Sequence, residues 1–231
     1  MNVSDIRQSF IQALANEEFT TDRTGSKTIE LIGASFVADE PAIFGEVNQE
    51  YVKAEIDWYQ LASNNINDIN YGDEPPKAWQ YAANSYGEIN SNYGKLIYSD
   101  KYYAQYYQAL DELLTNMGSR RATMVYQRPS IWEEYSEHGK NDFICTNAVT
   151  YYIRGGKIHC VVQMRSNDVV YGYKNDYAWQ SYVLNSITRD YNSSYMHAAA
   201  DADYRKNMEV GTITWQVQNL HVYERHFDLV K

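Results

Sequence analysis

The 231 residues carry 20 Lys plus Arg against 30 Asp plus Glu, a net charge of −10, and 44 % of them are hydrophobic. That composition excludes a disordered chain, and no run of roughly 18 uncharged apolar residues offers a membrane span. So acidic a surface excludes general attraction to nucleic acid or anionic lipid, and an anionic ligand would need arginines gathered locally.

No internal repeat, low-complexity tract or linker interrupts the chain, and the four prolines include only one loop-forming pair, Pro75-Pro76 beside Gly72, so residues 1–231 read as one domain. Residues 4–15 predict a helix, with Ile6, Phe10, Ile11 and Leu14 on one face behind Ser4 as N-cap. Residues 27–37 predict a strand with a bulge at Gly33. Residues 49–62 predict an amphipathic helix with Val52, Ile56 and Tyr59 inward. A second follows at 102–117, with Tyr103, Tyr106, Tyr107, Leu110 and Leu114 inward and Gly118 as its stop. A strand at 122–127 precedes a hairpin over 144–166 that turns at Gly155-Gly156. A helix at 177–190 and a strand at 212–223 complete the pattern, which is that of an α+β fold with a mixed or antiparallel sheet. MNVSDIRQ lacks the basic start and apolar run of a secretory signal. Two cysteines give no disulfide framework, so a reducing cytoplasm is the expected compartment.

Several residues stand out against this background. Glu55 lies three residues after Val52 and four before Tyr59, inside the apolar stripe, where a carboxyl needs a partner or a task. Counting back from the hairpin turn sets Cys145 opposite Ser166, beside Arg165; a guanidinium near a thiol favours thiolate, whereas a plain strand cysteine is inert. Cys160 alternates with Ile158 and Val162 and fits the inert case. Arg120-Arg121 either forks a phosphate or is a solvated loop pair. Asp176 is either a helix N-cap or a ligand group, and His221 and Tyr223 share one strand face. No metal-binding motif, phosphate loop, GxGxxG or Ser-His-Asp order is present, and no metal is expected.

Asp22-Arg23-Thr24-Gly25, residues 87–94 (GEINSNYG), Ser119-Arg120-Arg121, the Cys145 segment, Arg165-Ser166-Asn167-Asp168-Val169 and His221-Val222-Tyr223 follow the order seen in thymidylate synthases. The chain resembles that family from near residue 4 to its end. Within it, residues 32–41, 87–94 and 164–180 look like the phage deoxycytidylate hydroxymethylases almost residue for residue. The resemblance implies a thymidylate synthase-like sheet flanked by helices. It implies a transferase that moves a one-carbon unit from 5,10-methylenetetrahydrofolate to C5 of dCMP and adds water, giving 5-hydroxymethyl-dCMP. In that reading Cys145 is the nucleophile at C6 of the base and Glu55 organises water and protons. Arg23, Arg165 and Ser166 bind the phosphate; Arg120 and Arg121 reach it from the partner subunit of a homodimer. His221 and Tyr223 meet the sugar hydroxyl, while Trp79 stacks on the folate pterin and Asp168 bonds to it.

Asp176 bears on the base. Uracil-specific synthases place Asn at this position, and the Arg165-to-Asp176 spacing of eleven matches their Arg-to-Asn spacing. A carboxyl group accepts from the cytosine amino group and, when protonated, donates to N3. The synthase Pro-Cys-His is here Ile144-Cys145-Thr146, as in the hydroxymethylases. The sequence given ends at Lys231, where the resemblance implies that relatives carry a further segment helping to close the site. The competing readings are synthase-type methylation of dUMP and an inactive nucleotide-binding relative; neither nucleic acid nor membrane is an expected partner.

Overall fold

A computed structural model describes residues 1–198 and 207–231. In chain order its elements are α1 (Val3–Ala15), β1 (Thr20–Thr21), β2 (Lys27–Val37), α2 (Gln49–Gln60), α3 (Lys77–Ala82), α4 (Tyr93–Tyr98), α5 (Gln105–Thr115), β3 (Thr123–Val125), α6 (Ile131–Glu134), β4 (Thr146–Arg154), β5 (Lys157–Asp168), α7 (Gly172–Ala198) and β6 (Glu209–Tyr223). They form two compact units, Met1–Val47 with Tyr152–Lys231, and Asn48–Tyr151. Among the described residues no helix is long and apolar enough to cross a membrane.

The first unit is a mixed sheet with β6 at its centre, antiparallel to β2 and parallel to β5, and with β1 outside β2. Parallel neighbours need a crossover, and α7 supplies it between β5 and β6. β2 covers the expected residues, but Gly33 is not a bulge: the register runs unchanged from Ile32↔Asn219 to Ala34↔Val217. Its φ of +73° still favours glycine. The register shift lies instead between Ile158 and Cys160, where β5 meets β6. Ile158, Cys160, Val162 and Met164 alternate inward, as a half-buried strand requires. The N-cap of α1 is Asn2 and not Ser4: Asn2 accepts from the Asp5 amide, and Asp5 accepts in return from the Asn2 amide.

The turn entering α7 also departs from expectation. Asp168 Oδ1 accepts from the amides of Val170 (2.6 Å) and Tyr171 (2.8 Å), so the helix opens at Gly172 and not near 177. Asp176 is therefore already inside the helix and is not at its N-cap position.

In the second unit α2 starts behind the Asn48 cap and buries Val52, Ala54, Glu55, Trp58 and Tyr59, with Ile56 only half-buried. α4 lies so close to α2 that a Cβ on Gly94 would sit 1.7 Å from the Tyr59 carbonyl oxygen. α5 begins at Gln105 because Tyr103 and Ala104 take φ of +65° and +46°, which no helix tolerates. Its buried stripe is Tyr106, Ala109, Leu110 and Leu113, while Tyr103 and Tyr107 are exposed. β3 pairs antiparallel with β4 and stops at Val125, after which the amides of Tyr126 and Gln127 both turn to the Asn147 carbonyl.

Candidate active site

Glu55 is buried on α2, and the structure supplies the donors it needs. Its Oε1 accepts from Tyr51 Oη at 2.6 Å and from Trp79 Nε1 at 3.1 Å; the same indole N–H is also 3.0 Å from Tyr51 Oη. Tyr51 is one helical turn before Glu55, so one face of α2 presents both. Burial pushes the carboxyl up to about 7, against the two donors, which brings its proton exchange toward neutral pH. That suits a group that passes protons. Trp79, from α3, is half-buried and sits edge-on to Trp58, with ring centroids 5.2 Å apart. Tyr51 was not singled out from the sequence; its signal is a phenol four residues before an inward-facing carboxyl.

Cys145 stands immediately before β4, half-buried, with its Sγ 3.8 Å from the Phe143 carbonyl. The segment leading to it is fixed at each residue. Asp142 is buried and accepts from the amides of Asn90 (2.6 Å) and Ser91 (2.8 Å). The Phe143 ring lies against Trp132 and Tyr135, and the Ile144 carbonyl accepts from Gln127 Nε2 at 2.8 Å. Cys160 differs: burial alone drives its thiol far above the ordinary range, so it carries no thiolate at neutral pH.

Arg120 and Arg121 are both exposed, on the turn between α5 and β3. Arg121 is anchored, its Nε and Nη2 donating to Glu112 over 3.1–3.3 Å, while the Ser119 hydroxyl bonds to the same carboxylate.

The first unit holds the other predicted residues. Arg23 is exposed at the tip of a tight turn, which Asp22 shapes by accepting from the amides of Thr24 (2.8 Å) and Ser26 (3.0 Å). Arg165 and Ser166 are half-buried neighbours near the end of β5. His221 and Tyr223 do meet on one face of β6, rings edge-on at 5.0 Å. Burial lowers the His221 pKa although Asp168, beside it in the β5–β6 register, pulls it upward; the imidazole is neutral at pH 7.

Asp176 is half-buried and accepts from Asn167 Nδ2 at 2.8 Å. Asn167 itself is buried, and its Oδ1 accepts from Trp215 Nε1 at 3.3 Å. An indole can only donate, so the Asn167 oxygen must face Trp215 and its NH2 must face Asp176. This chain of bonds turns Asp176 Oδ2 toward the Asn167 amide. Asn167 was read only as part of a motif; an amide on the inward face of a strand was the available signal.

The thymidylate synthase family model matches residues 8–231. The chain belongs to the thymidylate synthase family. Its mixed sheet with flanking helices is the α+β architecture the sequence predicts for that family. It is 51 % identical over 230 residues to the deoxycytidylate 5-hydroxymethyltransferase of Enterobacteria phage T4, a match covering 100 % of this chain and 89 % of that protein. The phage T6 protein of the same name matches at 51 % over the same shares. Similarity to the thymidylate synthase of Francisella tularensis subsp. holarctica (strain LVS) is lower, 22 % over 93 % of this chain and 78 % of that one.

Proposed function

We propose that this family member transfers a one-carbon unit from 5,10-methylenetetrahydrofolate to C5 of dCMP and adds water, giving 5-hydroxymethyl-dCMP and tetrahydrofolate. The observation that carries it is the 51 % identity, over the whole chain, to proteins named deoxycytidylate 5-hydroxymethyltransferase. The two units serve as one catalytic domain, a reading supported by a family match that runs from residue 8 to 231 without a break.

The folate supplies the one-carbon unit. A half-buried indole, Trp79, and a carboxylate, Asp168, fit the flat ring and N–H donors of a pterin. Asp168 has one oxygen committed to its turn, so its other oxygen would take the pterin. Cys145 adds through sulfur to C6 of cytosine, which makes C5 a nucleophile. Once the carbon is attached, the C5 proton leaves and the carbon–nitrogen bond to the folate breaks, releasing tetrahydrofolate and leaving an exocyclic methylene; water adds to it and the thiolate departs. Glu55, with Tyr51, holds that water and carries protons. Arg23, Arg165 and Ser166 bind the phosphate, joined by Arg120 and Arg121 from the partner in a homodimer. Neutral His221, with Tyr223, bonds to the sugar hydroxyl. Asp176 reads the cytosine edge. The reaction takes place in the cytoplasm of the infected host, as suits a relative of phage enzymes.

The test is incubation with methylenetetrahydrofolate and each of dCMP, dUMP, CMP and UMP, with mass analysis of the products. A gain of CH2O on dCMP, without the absorbance rise of dihydrofolate, is expected. A gain of CH2 on dUMP with stoichiometric dihydrofolate would place the chain among the methylating synthases instead.

A further inference from the structure

We propose that Asp142, acting with residues 90–92, is the positioning residue that sets the Cys145 thiol in register with the Glu55 helix. The proposal rests on the reading of Cys145 as nucleophile.

The tripeptide Asn90-Ser91-Asn92 reaches in two directions. On one side it holds Asp142. The amides of Asn90 and Ser91 donate to Oδ2 at 2.6 and 2.8 Å, and the Ser91 hydroxyl donates to Oδ1 at 2.5 Å. Asn90 Nδ2 donates to the Asp142 carbonyl at 3.0 Å, and Lys140 Nζ donates to Asn90 Oδ1 at 3.0 Å. On the other side Asn92, fully buried, donates from Nδ2 to the carbonyls of Trp58 (3.2 Å) and Ser63 (2.7 Å), at and just beyond the last turn of α2. Its Oδ1 caps α4 through the Lys95 amide at 2.8 Å. One short segment therefore ties the end of the helix that carries Glu55 to a residue three positions before Cys145.

Apart from the Asn92 cap on α4, none of these bonds makes a helix or a strand. A buried carboxyl is costly, and burial does raise the Asp142 pKa. Three donors converge on it, and removing it would leave two buried amides without an acceptor. The Phe143 ring lies against Trp132 and Tyr135 and the Ile144 carbonyl is bonded, so Asp142 begins a run of three anchored residues that ends at the sulfur. Displacing a nucleophile by about 1 Å costs roughly 100-fold in rate.

The experiment compares Asp142→Ala with Asp142→Asn in the full chain. An asparagine oxygen can take the two amides while its NH2 donates to Ser91 Oγ, so the bonds survive without the charge. Asp142→Ala should lower kcat about 100-fold while the dissociation constant for dCMP moves less than about threefold, and Asp142→Asn should restore most of kcat. Wild-type kcat in the alanine variant, or an asparagine variant as slow as it, overturns the proposal. Should Asp142→Ala not fold, Ser91→Ala removes one bond only; a drop in kcat of about tenfold at unchanged dCMP affinity supports positioning, and full kcat overturns it. If the wild-type protein turns over no dCMP, the assigned reaction has failed, and the thiol is read directly. A change of about fivefold or more in the rate at which iodoacetamide alkylates Cys145, mapped by peptide mass, then supports the proposal, and an unchanged rate overturns it.

Discussion

Glu55 shows how one side chain can be expensive and useful for the same reason. In the unfolded chain its carboxyl ionises near 4.5, and in the folded chain at about 7. Between those values the native state binds more protons, so stability falls as pH rises from 4.5 to 7 and the loss persists above. The cost is on the order of 3 kcal/mol. Glu55→Gln should therefore flatten this pH dependence and raise the unfolding temperature above pH 7, while activity falls about 100-fold or more because no proton can be exchanged. A glutamine variant that keeps the wild-type slope of stability against pH would assign the slope to another group. The two thiols make a sharper contrast. Cys145→Ser should abolish turnover yet still bind dCMP, whereas Cys160→Ala, at a buried thiol with a strongly raised pKa, should keep activity. Equal loss in both, measured by turnover and equilibrium dialysis, would deny a single nucleophile. Asp176 accepts from the Asn167 NH2, whose direction is fixed because the Trp215 indole donates to the Asn167 oxygen. Asp176→Asn can still accept from Asn167, but it turns an amide toward the base, so preference should swing from dCMP toward dUMP by roughly 10⁴-fold or more in relative kcat/KM. Unchanged preference in a competition assay would move base selection to another residue.

At the scale of elements, packing decides what pattern alone leaves open. Gly94 opens α4 against α2 where a Cβ would lie 1.7 Å from the Tyr59 carbonyl oxygen, a backbone atom that cannot step aside. Gly94→Ala should therefore cost about 3 kcal/mol or more, read as a lowered unfolding midpoint in urea, and an unshifted midpoint would show that the two helices part easily. The strand at 27–37 and the turn at Gly155-Gly156 were legible because a short apolar, β-branched run and paired glycines, here with positive φ (57° and 77°), are local properties. The start of α5 was not, because Tyr103 has good helical spacing and only its left-handed backbone, stabilised by the turn before it, takes it out of the stripe. The start of α7 was missed for a related reason: Asp168 was assigned to a ligand, and its bonds to the Val170 and Tyr171 amides close the turn earlier than hydrophobic spacing suggests. The candidate site divides in the same way. Glu55 could be found from its misplacement on an apolar face, and Tyr51 from its place one helical turn before it, but Asn167 and Asp142 work through contacts across the fold that no spacing encodes. β3 illustrates a further tertiary device. The side-chain amide of Gln105 bonds both the N–H and the C=O of Val125, at 2.7 and 2.8 Å, covering backbone that a short strand would otherwise leave open to another chain.

The whole molecule carries a net charge of −10, so in the proposed reaction a nucleotide phosphate would approach against the average field and would depend on the few arginines assigned to it. Arg23 and Arg165 belong to one unit, and Arg120 and Arg121 to the other. Arg121 has given Nε and Nη2 to Glu112, which fixes its direction and leaves Nη1 as the edge a phosphate would meet. Both Arg120 and Arg121 are exposed, as donors to a second copy must be. If each phosphate is completed by the partner, Arg121→Ala and Cys145→Ser are defects that two subunits can correct for one another. A heterodimer of the two variants then holds one site with both defects and one site with neither. Equal amounts of the inactive variants, mixed and allowed to exchange, should recover roughly a quarter of wild-type activity, since half the dimers are mixed and each has one working site. The check is turnover of the mixture alongside native mass spectrometry of subunits carrying different tags, which counts the heterodimers. Demonstrated exchange without recovered turnover would mean that each site is built from one chain and that Arg121 serves its own subunit.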